Sequence, residues 1–255
     1  MRAIREDHIA SIENALLLFE LIAKSDEPLT PATLAQDTGL SVSKVNNFLD
    51  LLADRGFIEK DKGLGFCLVG IKGIQLSQAI ISNMNVLKYA KPVMQVLEKE
   101  HDEAIYLAML NKTNVVFLDM VDTEQPVKAV SFIGHSFPFF TNAAGKVIMA
   151  FEPRDYLQQH LNRILRKRSD VNITHFMEEL DEIRSKGAAV DVGGLGENIL
   201  SVAVAVKDYA GKVLGAITLI APAFRVLGER LETEIIPSMI ESAGVLSARF
   251  GYVVA

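Results

Sequence analysis

Residues 28–52, PLTPATLAQDTGLSVSKVNNFLDLL, constrain the fold more than any other stretch. They read as two short helices joined by a tight turn. Thr30 is placed to cap the first helix, Pro31 takes its first position, where a missing N–H costs nothing, and Gly39 supplies a left-handed exit. Ser41 caps a second helix, on which Val42, Val45, Phe48, Leu49 and Leu52 fall on one face. Small Ala35 lets the second helix approach, Gly39 makes the turn, and Val45 and Leu49 lock the crossing. That spacing suits a helix-turn-helix. Ser41, Ser43, Lys44, Asn46 and Asn47 then face outward on a helix that fits a DNA major groove. The expectation is that Ser43, Asn46 and Asn47 read bases while Ser41 and Lys44 meet phosphates.

The flanking sequence completes a larger unit. Ile9, Ile12, Leu16, Phe19, Ile22 and Ala23 repeat at helical spacing and predict a helix over 9–24, the first of three. After Gly56, FIEKDKGLGFCLV reads as two short strands around a turn at 61–65, with Phe57, Ile58, Phe66 and Leu68 as its apolar members. Three helices and a hairpin make a winged helix-turn-helix, and its tip makes Lys60 and Lys62 candidate phosphate contacts. The alternative for both is a solvated turn lysine.

Charge works against an easy DNA reading. The whole chain carries a net −6, and its first 70 residues hold seven bases against eleven acids, a net of −4. Non-specific affinity comes mostly from neutralising phosphates, so one such unit binds DNA weakly. Affinity then requires bases gathered on one face and two or more units acting together. The competing reading is a ligand sensor that has lost sequence-specific DNA binding.

The first unit is expected over 1–70, with a linker helix over 71–84 and a second unit over 85–255. A helix over 86–101 leads into β-type sequence: strands at 104–110 and 115–121 around a turn at 111–114, then a third at 127–133. Phe137, Phe139 and Phe140 lead to Asn142, a candidate N-cap, and Ala143, Ala144 and Gly145 open a helix. Bare N–H groups at such a helix start attract an anion, and small side chains let it come close. The same small run also serves close helix–sheet packing. No Walker spacing is present, and no Ser or Thr follows Lys146. Beyond a basic cluster (Arg163, Arg166, Lys167, Arg168), Thr174 is placed to cap a helix closed by Gly187. A strand at 188–191, a flexible GGLGEN loop, strands at 199–206 and 212–220, and a final helix at 227–250 broken by Pro237 follow. The second unit is therefore α+β.

Other function classes find little support. No apolar run approaches the roughly 18–20 residues that span a bilayer, and the start of the chain is too charged for a signal peptide. A cytoplasmic protein with no membrane partner is expected. Lone Cys67 excludes an intramolecular disulfide or a cysteine-cluster metal site, and the five histidines lack metal spacing. No Gly-x-Ser-x-Gly elbow occurs, and His135 beside Ser136 reads as a solvated loop histidine. No enzyme activity, catalytic residue, cofactor or metal is expected.

Taken together, HIASIENALLLFELIA, the 28–60 stretch, SFIGHSFPFFTNAAGKVIMAF, GAAVDVGGLGEN and GKVLGAITLIAPAFR resemble the IclR family of bacterial transcription regulators over about residues 9–250. The resemblance implies a winged helix-turn-helix joined by a linker helix to a GAF-like α+β effector domain. It implies a homodimer, often a dimer of dimers, that binds a double-stranded DNA operator and responds to a small carboxylate or aromatic effector. It also implies an effector site formed by the backbone at Ala143, Ala144 and Gly145, the Asp191 carboxylate, the Ser201 and Thr218 hydroxyls, and Phe137 as an apolar wall. Hydroxyls and a helix start suit a carboxylate ligand. Asp191 fits one only by accepting a ligand hydroxyl or by being protonated, and a structural hydrogen-bonding role is its alternative.

Overall fold

The computed structural model describes residues 2–61, 65–155, 157, 161, 172–226 and 228–253. These fall into two compact units, Met1–Asn83 and Met84–Ala255. Lys62 and the basic cluster Arg163, Arg166, Lys167 and Arg168 lie outside the described residues.

The first unit contains α1 (Arg2–Lys24), α2 (Pro31–Thr38), α3 (Val42–Asp54), β1 (Ile58–Lys60), β2 (Cys67–Val69) and α4 (Ile71–Asn83). Thr30 Oγ1 accepts from the Thr33 N–H at 3.1 Å, Gly39 adopts φ +70°, and Ser41 Oγ accepts from the Lys44 N–H at 3.3 Å. Fully buried Leu18, Leu34, Val45 and Leu49 fasten the three helices together. Each such side chain contributes about 1.5–3 kcal/mol by leaving water.

Three expected inward faces are corrected. On α1 the core side is Leu18 and Ile22, while Ile12 and Leu16 are 64% and 58% exposed. Val42, in the first turn of α3, is 48% exposed. In the hairpin Ile58 and Cys67 point inward and Leu68 outward, as the register Ile58↔Val69 and Lys60↔Cys67 requires. Gly70 is needed there, since a Cβ would sit 2.3 Å from the Gly56 carbonyl oxygen.

The second unit contains α5 (Asn85–His101), β3 (Ala104–Asn111), β4 (Asn114–Val121), β5 (Ser136–Pro138), α6 (Ala143–Ala150), α7 (Ile173–Lys186), β6 (Ala188–Val192), β7 (Ile199–Lys207), β8 (Val213–Pro222) and α8 (Ile236–Ala248). Six strands pair antiparallel in the order β5-β4-β3-β8-β7-β6. Alternation decides what each face carries. Ile105, Leu107, Val202, Val204, Ile217 and Leu219 face α5 and α8, whereas Tyr106, Ala108, Ala203 and Ala216 face α6 and α7. A helical turn at Gly228–Arg230 and a π turn at Leu231–Ile235 precede α8. Pro237 cannot donate to the carbonyl four residues back, and the wider π turn absorbs that break.

Three further expectations change. No strand forms over 127–133: Val127 and Val130 are exposed, only Ile133 bridges Phe117, and the sheet edge is β5 instead. Pro126 supplies no N–H to a ladder. The cap of α7 is Asn172, whose Oδ1 accepts from the Thr174 and His175 N–H groups, so Thr174 lies inside the helix. The GGLGEN loop is pinned rather than flexible. Leu195 is buried in the core, the Gly194 N–H donates to Asp191 Oδ1 at 2.9 Å, and a Cβ on Gly194 would lie 1.5 Å from the Thr141 carbonyl oxygen.

Candidate nucleic-acid interface and effector site

Burial of Val45 and Leu49 orients α3 and fixes which side chains it presents. Ser43, Lys44 and Asn47 are exposed, and Asn46 is half-buried beside them. Ser41 is exposed but its hydroxyl caps the helix. Lys60 is not a free cation: its Nζ lies 2.5 Å from Asp50 Oδ1, joining the hairpin to α3. One face of α3 therefore offers amide, hydroxyl and ammonium groups, with its nearest carboxylate already paired.

In the second unit, the named residues stand on one sheet face, the face under α6, three of them on the neighbouring strands β8, β7 and β6 and Phe137 on β5 at the far edge. Phe137 is on β5, Thr218 on β8, Ser201 on β7 and Asp191 on β6. Register places Tyr106 opposite Thr218, Thr218 opposite Ala203, and Ser201 opposite Asp191. Ser201 and Thr218 are 1% and 0% exposed, yet neither hydroxyl has a hydrogen-bond partner among the described residues. Leaving a buried hydroxyl unpaired costs about 1–3 kcal/mol.

Above them α6 begins at Asn142, whose Oδ1 accepts from the Gly145 N–H at 3.0 Å. Ala143 and Ala144 are fully buried, and a Cβ on Gly145 would fall 2.0 Å from the Phe139 carbonyl oxygen. Close packing thus accounts for the glycine, whatever else the helix start does. Phe137 lies at one margin, in an aromatic cluster with Phe117 and Phe132 at ring-centroid distances of 6.0 and 5.5 Å. The cluster continues to Tyr106, 5.3 Å from Phe117. Burial pushes the Tyr106 phenol up, against the lowering effect of its bond to the Phe132 backbone.

At the opposite margin, Asp191 Oδ2 accepts from Lys146 Nζ at 2.7 Å while Oδ1 takes the Gly194 N–H. Both oxygens are engaged, so Asp191 meets a ligand only by sharing an oxygen. Lys146 also pairs with Glu179 at 2.9 Å. Burial works against its charge, but the bonds to Asp191 and Glu179 outweigh it and raise its pKa. Asp191 and Ser136 stand on opposite edges of the sheet, which removes any Ser136–His135–Asp191 relay. Among the described residues no three His, Cys, Asp or Glu side chains are grouped to hold a metal, and no helix is long and apolar enough to cross a membrane.

Sequence reasoning missed Tyr106, Lys146 and Glu179. Strand alternation around Ala104 and Ala108 places Tyr106, but Glu179 reaches Lys146 only through helix packing, which leaves no sequence signal.

The family model for the IclR helix-turn-helix domain matches residues 11–62, and that for the bacterial transcriptional regulator IclR C-terminal region matches 78–248. The chain is 26% identical over 250 residues to the HTH-type transcriptional regulator KdgR of Escherichia coli, covering 96% of this chain and 94% of that one. It is 23% identical to the transcriptional repressor IclR of E. coli, covering 95% and 90%. The crystal structure of Thermotoga maritima IclR matches with a TM-score of 0.77 at 24% identity, covering 96% of this chain and all (100%) of that one.

Proposed function

The chain belongs to the IclR family of bacterial transcriptional regulators, and on that premise we propose that it binds operator DNA as a homodimer or a dimer of dimers, under control of a small effector. The observation that carries this reading is the oriented α3. Burial of Val45 and Leu49 leaves Ser43, Lys44 and Asn47 on its open face, with Asn46 beside them. Asn47 and Asn46 suit the N6/N7 edge of adenine, Ser43 either base class, and Lys44 the phosphates. Ser41 adds a phosphate contact only if its hydroxyl donates outward while capping, and Lys60 only by sharing its charge with Asp50.

A groove of about 360 Å³ in the first unit, lined by Ile12, Leu16, Phe19, Phe48, Leu51 and Phe57, supports pairing with a second copy. Apolar surface of this kind is costly in water, and a unit with net −4 needs a second recognition helix for useful affinity. Selection from random duplexes tests the reading. The account expects a two-fold-related site with half-sites about one helical turn, ~34 Å, apart. Recovery of no preferred sequence contradicts it and favours the sensor that has lost DNA binding.

The effector reading rests on Ser201 and Thr218. A carboxylate beneath the start of α6 would accept from both hydroxyls and remove their desolvation penalty. Backbone N–H groups at Ala143 and Ala144 would supply the positive end of the helix, that of Gly145 being already given to Asn142, and Phe137 with its ring cluster would wall an aromatic or apolar body. Asp191 then serves chiefly to hold Lys146 and the 193–196 turn. A saturable rise in melting temperature with a library of aliphatic and aromatic carboxylates tests this site through the part of the response that Thr218→Val removes.

A further inference from the structure

Away from the α6 helix start, the second unit carries a half-buried cation for which the regulator reading has no use. Lys207 is the last residue of β7, and its backbone N–H donates to Ser247 Oγ on α8 at 3.0 Å. Its ammonium lies 3.4 Å from the ring centroid of Phe151, at the end of α6, and 5.4 Å from that of Tyr252. Among the described residues it has no carboxylate within salt-bridge distance. Neighbouring Asp208 is occupied, its Oδ1 accepting from the Ala210 and Lys212 N–H groups.

The other nearby cation is committed. Arg184 Nε and Nη2 donate to the carbonyls of Ala150 and Glu152 at 2.5 and 2.8 Å, completing the C-terminal end of α6. Burial lowers the Lys207 pKa, and the charge of Arg184 lowers it further. An ordered ammonium in this position, held by rings alone, keeps a charge that no anion balances.

Lys207 opens onto a cavity of about 160 Å³ whose floor is made by Ala205, Ala243 and Gly244, with Tyr252 at its side. Gly244 has no atom within 4 Å of the position a Cβ would take, so the floor is open to a ligand. Apart from the ammonium and the hydroxyls of Ser247 and Tyr252, the side chains that line it are apolar, and the Ser247 hydroxyl is already bonded to the Ala243 carbonyl. A bare phosphate would leave that surface unfilled, whereas a carboxylate on a short hydrocarbon body would meet the ammonium at one end and the floor at the other.

We propose that this cleft is an accessory ligand site that takes a small carboxylate with a short apolar body, Lys207 being its counter-ion and Phe151 and Tyr252 its flanking walls. It is separate from the site beneath the start of α6 and stands whether or not that site binds an effector. Binding replaces ring contact alone by a charge-assisted hydrogen bond in a partly desolvated setting.

The full chain is titrated with sodium butyrate and sodium benzoate against sodium chloride at equal ionic strength, and its melting temperature is followed. The titration is repeated in a Thr218→Val background, where the site beneath α6 is disabled; there the expected result is a saturable rise with one or both carboxylates, weakened tenfold or more by Lys207→Gln and by Gly244→Leu and retained in Lys207→Arg. Gly244→Leu fills the cleft without touching the ammonium, so it separates ligand loss from a folding defect at Lys207. A flat response in the natural sequence overturns the proposal. So does a response in the Thr218→Val background that survives both Lys207→Gln and Gly244→Leu, or one that Thr218→Val alone removes.

Discussion

Lys60 Nζ, on the first strand of the hairpin, lies 2.5 Å from Asp50 Oδ1 on α3. Asp50 stands one turn beyond Asn47 on the exposed side of that helix, so the pair fastens wing to helix and masks a carboxylate that would repel phosphates. With the two side chains 29% and 66% exposed, its worth to stability is small, about 0.2–1 kcal/mol. Its effect on DNA binding is expected to be larger. Lys60→Met should weaken binding and reduce the salt slope by about 0.9 if the lysine also meets a phosphate. Asp50→Asn should strengthen binding. Fluorescence anisotropy at several salt concentrations checks both, and unchanged affinity in both variants would detach the pair from DNA recognition.

Asn47 is exposed on α3 and packs into no core. Asn47→Ala is therefore expected to leave the melting temperature in place while weakening operator binding by roughly 1–3 kcal/mol, about five- to 150-fold. The loss should be largest for sites carrying adenine at one position. A gel-shift titration showing the same affinity and the same base preference would remove Asn47 from the reading set.

Ser201 and Thr218 predict a trade between stability and ligand binding. Because their buried hydroxyls lack partners, Thr218→Val and Ser201→Ala should stabilise the ligand-free protein, by up to about 1–3 kcal/mol each. The same variants should bind carboxylates more weakly. Urea unfolding with and without ligand measures both effects. Destabilisation by Thr218→Val without ligand would show that the hydroxyl is satisfied and the site is not poised for a guest.

His101, 3% exposed at the end of α5, shares a hydrogen bond of 2.5 Å with Ser238 Oγ on α8. Burial holds its pKa below the ordinary histidine value, with Glu100 opposing, Arg230 reinforcing, and Glu234 and Glu103 opposing more weakly. The folded protein thus favours the neutral ring. This contribution is fully present above about pH 6.5 and is lost as pH falls through the lowered folded value. Denaturation midpoints between about pH 7.5 and pH 5 should fall in the natural sequence and fall less in His101→Gln. Parallel profiles for the two proteins would assign the acid sensitivity elsewhere.

The parts of the fold written locally are the parts legible in the sequence. Thr30, Pro31, Gly39 and Ser41 specify caps and a turn within a few residues of themselves, and the helix-turn-helix follows. Asn142 and Gly187 do the same for α6 and α7. What misled was tertiary context. Ile12 and Leu16 carry the helical period of a core face, yet they lie on an open groove, since periodicity reports an apolar stripe and not what covers it. Val127–Ile133 has the composition of a strand, yet only Ile133 bridges β4 and Ser136–Pro138 forms the edge strand instead. The glycines at 193, 194 and 196 read as mobility, whereas Gly194 is small because Thr141 leaves no room for a side chain. Asp191 entered through the family resemblance, but its partner Lys146 comes from α6, 45 residues away, and Glu179, which shares that lysine, from α7.

The central claim is that α3 of an acidic first unit meets DNA through a locally assembled set of polar and basic side chains. Binding of the full chain to the DNA immediately upstream of its own coding sequence, measured by anisotropy from about 50 to 200 mM salt, tests it most directly. The account predicts that log affinity falls linearly with log salt at a clear negative slope, and that a scrambled fragment binds far more weakly. No binding at the lowest salt, or equal affinity for both fragments, would contradict it.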